Sequence, residues 1–338
     1  MNRRTTRRGL AAVSAVVVGS VLLAGCTEDV PQPQAGEPFD GPVLTEEQET
    51  KVLSAVSSTV QKADKKLDPA ALKSRVTGPA LEVRASQLDV AKSRDDSSLV
   101  TEIPDESQQL VIPTTSTWPR TSYSITVPTE DLETPRLVAF EQDSARAAYK
   151  MWSWVQLLPG VVMPAFADAG IGSEAVASDD DSLAATPADA LNQYADVVTL
   201  GAEESSFAKG FDLPEEDLAA RVQGDAKNVR STPGFEDADG EFEAKFSARK
   251  DDIRSVRTAD GGALVMGALD GRTTLTVEEE GEVPPFTETQ KALLGDAGLT
   301  NELEVEYTDM VALYVPAKDS DEKIRPLGYS HVATAASN

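Results

Sequence analysis

The chain has 338 residues, with 31 Lys plus Arg against 57 Asp plus Glu, so its formal net charge at pH 7 is −26. This acidity excludes nucleic acids as partners, because proteins bind them mainly by neutralising phosphates with Lys and Arg. The single cysteine excludes an intramolecular disulfide and a thiolate metal site. The sequence shows no cofactor motif, and its length favours two domains.

The N-terminus combines positive charge with a short apolar run. Arg3, Arg4, Arg7 and Arg8 precede the apolar residues 10–25. A permanent membrane span needs about 20 apolar residues, so the pattern predicts a cleaved signal peptide over residues 1–25. An uncleaved signal anchor is the alternative, and the paired arginines leave open whether export uses the general or the twin-arginine route.

Cys26 follows this run directly, in Leu23-Ala24-Gly25-Cys26. The motif resembles the lipobox of bacterial lipoproteins, which implies that Cys26 carries a diacyl group and fatty acyl chains such as palmitate. Two acyl chains are sufficient for stable membrane attachment. We therefore expect a protein anchored by lipid to the extracytoplasmic face of the cell membrane.

Residues 26–43 are expected to form a tether. The segment contains Pro31, Pro33, Pro38 and Pro42 and lacks a periodic apolar pattern. At about 3.1 Å per residue, such a proline-rich segment reaches roughly 50 Å from the bilayer.

An internal repeat supports two domains. Residues 72–84 align without a gap with residues 218–230, and seven of the thirteen positions are identical. We predict a first module over 44–164, a linker over 165–186 and a second module over 187–338. Arg75 and Arg221, which correspond in this alignment, are expected to bind carboxylates at helix ends.

Each module is predicted to begin with helices. Thr45 and Gln48 form a capping-box pattern ahead of an amphipathic stretch, and Thr186-Pro187 is a typical helix start. Strands are predicted to follow. In the first module they cover 109–112, 122–127, 136–141 and 149–158; in the second, 253–258, 263–269, 272–278, 303–315 and 324–333.

Turn signals separate the strands of the second module. Asp260-Gly261 and Asp270-Gly271 are dipeptides that readily form hairpin turns. Helices followed by an antiparallel meander predict an α+β fold in each module, with one sheet face packed on the helices.

This order of elements resembles the cystatin-like cone of the nuclear transport factor 2-like superfamily, here as two tandem cones. Three segments, 72–80, 149–154 together with 157–160, and 307–316, also resemble an uncharacterised actinobacterial lipoprotein family. The superfamily includes isomerases, dehydratases and binding domains, so the resemblance implies a fold and does not select an activity.

Candidate site residues are few. His331 is the single histidine, and alternation along its strand places it on one face with Tyr329 and Ala333. We expect a surface or partly packed strand residue, because the sequence alone identifies no His/Asp pair. Trp152 and Trp154, two residues apart, are expected to share a face, as wall residues of a pocket together with Tyr149 or as ordinary core.

The acidic clusters do not match a calcium loop. When Gly240 is placed at the loop glycine, Phe235 and Phe246 fall at positions that require Asp and Glu. We interpret the clusters as solvated turns and expect neither a metal nor a cofactor.

The sequence therefore favours a non-enzymatic, lipid-anchored protein that binds an envelope protein or a small ligand. One alternative is a small-molecule enzyme that uses a cone as an acid/base pocket. Another is a solute-capture lipoprotein that serves a transporter, although two small cones differ from the large hinged lobes of such proteins.

Overall fold

The computed structural model describes residues 41–115, 117–128 and 133–338. The expected signal peptide, the lipobox from Leu23 to Cys26 and nearly all of the tether lie outside these residues and stay predictions. Within the described ranges, no helix has both the length and the apolar character needed to span a bilayer.

The regular elements of the described part of the chain are five α-helices, two short 3₁₀ helices (Pro69–Ser74 and Ala208–Gly210) and nine strands. The helices are α1 (Glu46–Lys66), α2 (Gly78–Arg94), α3 (Pro187–Leu200), α4 (Leu218–Arg230) and α5 (Glu288–Leu294). The strands are β1 (Ser107–Val111), β2 (Arg120–Thr126), β3 (Arg136–Gln142), β4 (Lys150–Leu157), β5 (Ala175–Val176), β6 (Glu241–Arg257), β7 (Ala263–Thr276), β8 (Glu302–Val315) and β9 (Arg325–Ser337).

Both predicted helix starts are confirmed. At α1, the Thr45 hydroxyl accepts a hydrogen bond from the backbone N–H of Gln48 at 3.2 Å, and the Gln48 side chain accepts one from the N–H of Thr45 at 2.9 Å. At α3, Thr186 accepts from the N–H of Asp189 at 3.1 Å, and Pro187 occupies the first turn. These side chains satisfy amides that have no partner inside the helix.

The described strands form one antiparallel sheet in the order β1-β2-β3-β4-β9-β8-β7-β6-β5. Strands β1–β4 form one meander and β6–β9 form another. The two meanders are joined where β4 pairs with β9, through Gln156 opposite Tyr329 and Leu157 opposite Gly328. A Cβ on Gly328 would lie 2.4 Å from the carbonyl oxygen of Gln156, so this contact requires glycine.

The sheet curls into a half-barrel. Arg254 on β6 forms an ion pair with Glu141 on β3, although four strands separate β6 from β3 in the sheet. Leu264, Met266, Met310 and Ala312, on β7 and β8, pack in one core with α1, α2 and β1–β4. Alternate residues of the same two strands, including Val265 and Val311, pack in a second core with α3 and α4.

The α+β class is confirmed, and two helices followed by a four-stranded meander occur twice, with α5 inserted between β7 and β8 in the second case. Strands from both sides of the predicted 165–186 linker share a sheet and a core, and β5, inside that linker, pairs with β6. The aligned repeat segments differ in local structure. Residues 218–230 form α4, whereas residues 72–84 contain the end of the first 3₁₀ helix, a turn, a single β-bridge at Val76 and the start of α2.

One predicted hairpin was wrong. Strand β7 continues through Asp270-Gly271, where a turn was expected, and Gly271 pairs with Phe246 on β6 and Tyr307 on β8. A Cβ at Gly271 would lie 2.4 Å from the Phe246 ring, so glycine here makes room for an aromatic neighbour. Strand β6 also begins at Glu241, earlier than the expected 253.

Glu49 is a buried carboxyl group beneath the first meander. The Ser122 hydroxyl on β2 donates a hydrogen bond to its Oε1 at 2.8 Å, while Oε2 has no partner among the described residues. Burial raises the pKa of Glu49 to about 7, and the hydrogen bond from Ser122 opposes part of that rise. The folded protein therefore favours the neutral form of this carboxyl group.

We predict that Glu49→Gln removes part of the pH dependence of stability. Because the folded pKa is raised from 4.5 to about 7, the contribution of Glu49 is fully present below pH 4.5 and is lost as pH rises through 7. Between pH 4 and pH 8 the free energy of unfolding of the variant should rise relative to wild type by about 3 kcal/mol. Urea denaturation at both pH values measures this difference.

The matched control is Glu47→Gln, which changes an exposed glutamate on the same helix. Because the Glu47 side chain is 80 % exposed, its substitution should change stability far less than that of buried Glu49 between the same two pH values. An equal difference between Glu49→Gln and wild type at pH 4 and pH 8 would contradict the prediction.

Candidate functional site

Asp309 and His331 face each other on neighbouring strands. They are directly opposite in the register of β8 and β9, and Nδ1 of His331 lies 2.6 Å from Oδ1 of Asp309. The Asp309 side chain is fully buried, and that of His331 is 13 % exposed. The structure thus brings together a His/Asp pair that the sequence alone did not identify.

Aromatic rings hold the imidazole in place. The Tyr307 ring stacks on His331 with centroids 4.4 Å apart and an angle of 12° between the planes. The centroid of the Phe246 ring, for which Gly271 leaves room, lies 6.4 Å from the centroid of the imidazole. Burial raises the pKa of Tyr307, so its phenol stays protonated near neutral pH.

The buried carboxylate orients the histidine. Burial raises the pKa of Asp309 above its usual value, and the adjacent His331 opposes that rise. With Asp309 ionised, Nδ1–H donates to the carboxylate and Nε2 is left with its lone pair. This arrangement can accept a proton or a hydrogen bond at Nε2.

His331 lines a cavity of about 390 Å³ that we call the α4 cavity. It is enclosed by α4, α5 and β6–β9. Most of its wall is apolar, contributed by Val222, Val229, Phe242, Phe246, Leu275, Phe286, Leu303 and Val305. Tyr307 and His331 are polar groups in this wall, and so are Arg221 and Asp225 on α4, which form an ion pair at 2.9 Å.

A second cavity of about 580 Å³ lies where the two meanders join, and we call it the seam cleft. Helix α2, strand β4 and strand β9 supply most of its wall. His331, Arg221, Thr289 and Ala333 line both the seam cleft and the α4 cavity. The two cavities therefore adjoin each other at His331.

The three predicted pocket residues, Tyr149, Trp152 and Trp154, are all buried and all belong to the first core. Trp154 also lines the seam cleft. A bulge in β4 leaves Trp152 without a partner in the β3 register, and the Arg254 guanidinium lies over its indole, 4.7 Å from the ring centroid.

The two arginines of the repeat have different partners. Arg221 binds a carboxylate, that of Asp225, as expected. Arg75 instead donates to the backbone oxygen of Tyr149 at 3.3 Å. Residues 41–115, 117–128 and 133–338 contain no group of three His, Cys, Asp or Glu side chains that could hold a metal ion.

Sequence reasoning missed Asp309. The available signal was a carboxylate within the apolar strand segment 307–313, where a charged residue is expensive unless it has a partner. The same reasoning missed α5, although Thr287 and Gln290 form a capping box of the same kind as the Thr45/Gln48 box from which α1 was predicted.

No curated protein sequence matches this chain, and no solved structure matches it. One family model matches residues 40–338, which include every described helix and strand, the His/Asp pair and both cavities. Because the match covers most of the chain, the protein belongs to the family described as "Domain of unknown function (DUF8094)".

Proposed function

We propose that the protein is a lipid-anchored extracytoplasmic protein that binds a small ligand at the cell envelope, with the α4 cavity as its binding site. The observation that carries the proposal is His331, oriented by Asp309 at the wall of a largely apolar cavity. Cavities with apolar walls and a few fixed polar groups are typical of small-molecule sites. The ligand is expected to combine an apolar body with one group that hydrogen-bonds to imidazole.

The finer fold interpretation, two tandem cystatin-like cones, belongs to the same proposal. Its support is the repeated order of two helices and four strands, together with a cavity beneath helices in each half. The first half has a cavity of about 530 Å³ lined by α1, Arg84 and residues of β3 and β4. In this interpretation the two cones have fused along β4 and β9.

The α4 cavity can be tested with N-phenyl-1-naphthylamine, a neutral fluorescent compound with an apolar body and one N–H donor. We expect it to bind, and Val229→Trp, which places an indole in the cavity wall, to weaken binding about tenfold or more. Fluorescence titration measures both affinities.

Val162→Trp is the matched control, because Val162 is 75 % exposed and does not line the cavity. It should leave the affinity unchanged. Equal affinity of Val229→Trp and wild type, with the fold retained by circular dichroism, would count against this binding site.

A second candidate function, an acid/base enzyme, is favoured by the 2.6 Å contact between His331 and Asp309. A carboxylate that fixes one ring nitrogen leaves the other to act as a general base. The His331 side chain is largely shielded from solvent, and electrostatic interactions are stronger in such surroundings than in water.

The probe reaction for this candidate is ring opening of 5-nitrobenzisoxazole. A base removes the C3 proton, the C–H electron pair forms the nitrile, and the N–O bond breaks to release a coloured phenolate. We expect wild type to accelerate the reaction and His331→Gln, which removes the chain's single imidazole, to slow it at least tenfold. Absorbance of the phenolate gives the rate.

Asp309→Asn should also slow ring opening, because an amide does not hold the same tautomer of histidine. Tyr329→Phe serves as the control, because Tyr329 lies on β9 like His331 and its substitution leaves both His331 and Asp309 in place. Identical rates for wild type and His331→Gln would exclude His331 as the base.

The lipid anchor is tested by Cys26→Ser. We expect the variant to lose the acylated mature form, because the thiol is the acyl acceptor, and to accumulate as a precursor or as protein released from the membrane fraction. Fractionation with mass spectrometry distinguishes these forms. Ser14→Ala, which keeps the cysteine and the apolar run, is the control, and normal processing of Cys26→Ser would refute the assignment.

A further inference from the structure

The connection between β7 and β8, residues 277–301, forms one section of the α4 cavity wall. Four of its residues line the cavity, and they lie at and just before the start of α5: Phe286, Thr287, Thr289 and Gln290. The rest of the wall comes from α4 and from strands β6–β9. One part of the wall therefore belongs to a connection outside the sheet.

The connection is closed at its base. The backbone N–H of Val283 donates to the oxygen of Thr300 at 2.8 Å, and that of Val277 donates to the oxygen of Asn301 at 2.9 Å. Residues 284–299 thus begin and end at one point, as in a compact surface loop whose ends are close together. Such a loop can move about its base while the strands stay in place.

Few buried contacts hold residues 284–299 in position. Val283 at the base is buried, whereas every residue from 284 to 299 is half-buried or exposed. Helix α5 lies against β9 and α2, and Leu294 packs on a small third core formed by Leu275, Val283, Leu303 and Val305. Segments that bury little apolar surface open at a low cost in free energy.

The same segment reaches the aromatic ring that holds His331. Burial raises the pKa of Tyr307, and a hydrogen bond with Gln290 is among the interactions that oppose this rise. Gln290 also caps α5, because its Oε1 accepts hydrogen bonds from the backbone N–H of Phe286 at 2.7 Å and of Thr287 at 3.2 Å. The residue that orders the first turn of α5 therefore contacts the phenol that stacks on His331.

We propose that residues 284–299 form a lid over the α4 cavity, closed in this structure, which must move away from the third core before a ligand reaches His331. The proposal rests on the α4 cavity as the binding site and adds a control of access to it. Because a closed lid blocks both entry and exit, it sets the rates of binding and release more than the affinity.

A variant without the lid tests this directly. Asn-Gly, a dipeptide that closes hairpin turns, replaces residues 284–299 between Val283 and Thr300, whose backbones are already hydrogen-bonded. With N-phenyl-1-naphthylamine in stopped-flow fluorescence, we expect association and dissociation at least tenfold faster than in wild type. The observed rate of wild type should level off at high ligand concentration, at the rate of lid opening, and that of the variant should keep rising.

Leu294→Ala keeps the lid and weakens its contact with the third core. Both rates should increase about fivefold, because the lid opens more often when less apolar surface holds it closed. Leu299→Ala is the matched control, since Leu299 lies in the same segment, is 40 % exposed and does not line the cavity, and it should keep wild-type rates. Unchanged rates in Leu294→Ala would overturn the lid even where the lid-less variant fails to fold.

Acylation of His331 by diethyl pyrocarbonate measures access without the ligand. Nε2 attacks a carbonyl carbon of the reagent, a C–O bond breaks, and ethyl carbonate leaves with the imidazole proton and decomposes to ethanol and carbon dioxide. His331 is the chain's single histidine, and its side chain is 13 % exposed. Removal of the lid should accelerate acylation at least tenfold, as measured by mass spectrometry of the peptide that contains His331.

The two readouts separate the lid from the proposed function. Equal acylation rates in wild type and the lid-less variant would overturn the lid, whether or not N-phenyl-1-naphthylamine binds. Faster acylation in the variant, together with no binding of this compound to wild type, would support the lid and count against the ligand proposed for the cavity.

Discussion

Two pairs of facing residues join β4 to β9, and the continuity of the sheet depends on this short contact. Gly328 permits it, because any side chain there would collide with the backbone of Gln156. Beyond the contact the two strands diverge, and α2 fills part of the space between them. The seam cleft and the approach of α2 to β8 and β9 are both consequences of how little of β4 and β9 pairs.

Electrostatic contacts across the curl reinforce the join. Arg249 on β6 forms an ion pair with Glu82 on α2 at 2.8 Å, and Arg254 on β6 pairs with Glu141 on β3 while it covers Trp152. Both arginines are mostly shielded from water, where an ion pair is screened less than at the surface. In so acidic a chain, these few arginines neutralise carboxylates at the positions where the two meanders meet.

Local chemistry determined which parts of the fold were predictable. The helix starts at Thr45 and Thr186 were readable because a cap involves residues three apart. The hairpin expected at Asp270-Gly271 does not form, because Gly271 instead lies within β7, where its lack of a side chain leaves room for the Phe246 ring on β6. The bulge at Trp152 and the join at Gly328 depend on partners far away in sequence, and no local pattern encodes them.

The candidate site illustrates the same limit. His331 was recognisable as a strand residue, but its partner Asp309 is 22 residues away and becomes its neighbour only through the register of β8 and β9. A shift of one residue in that register would direct the two side chains to opposite faces of the sheet. The chemistry of the pair therefore rests on the pairing of two long strands, which sequence periodicity alone leaves undetermined.

Strands β7 and β8 serve two cores at once, one on each face. Because of this shared use, the chain cannot simply be divided into two independent halves. Either half alone would expose an apolar sheet surface that the other half now covers, and exposed apolar surface promotes aggregation. A substitution that shifts β7 or β8 to suit one core also changes the packing of the other core. The residues of the two cores are therefore expected to evolve together.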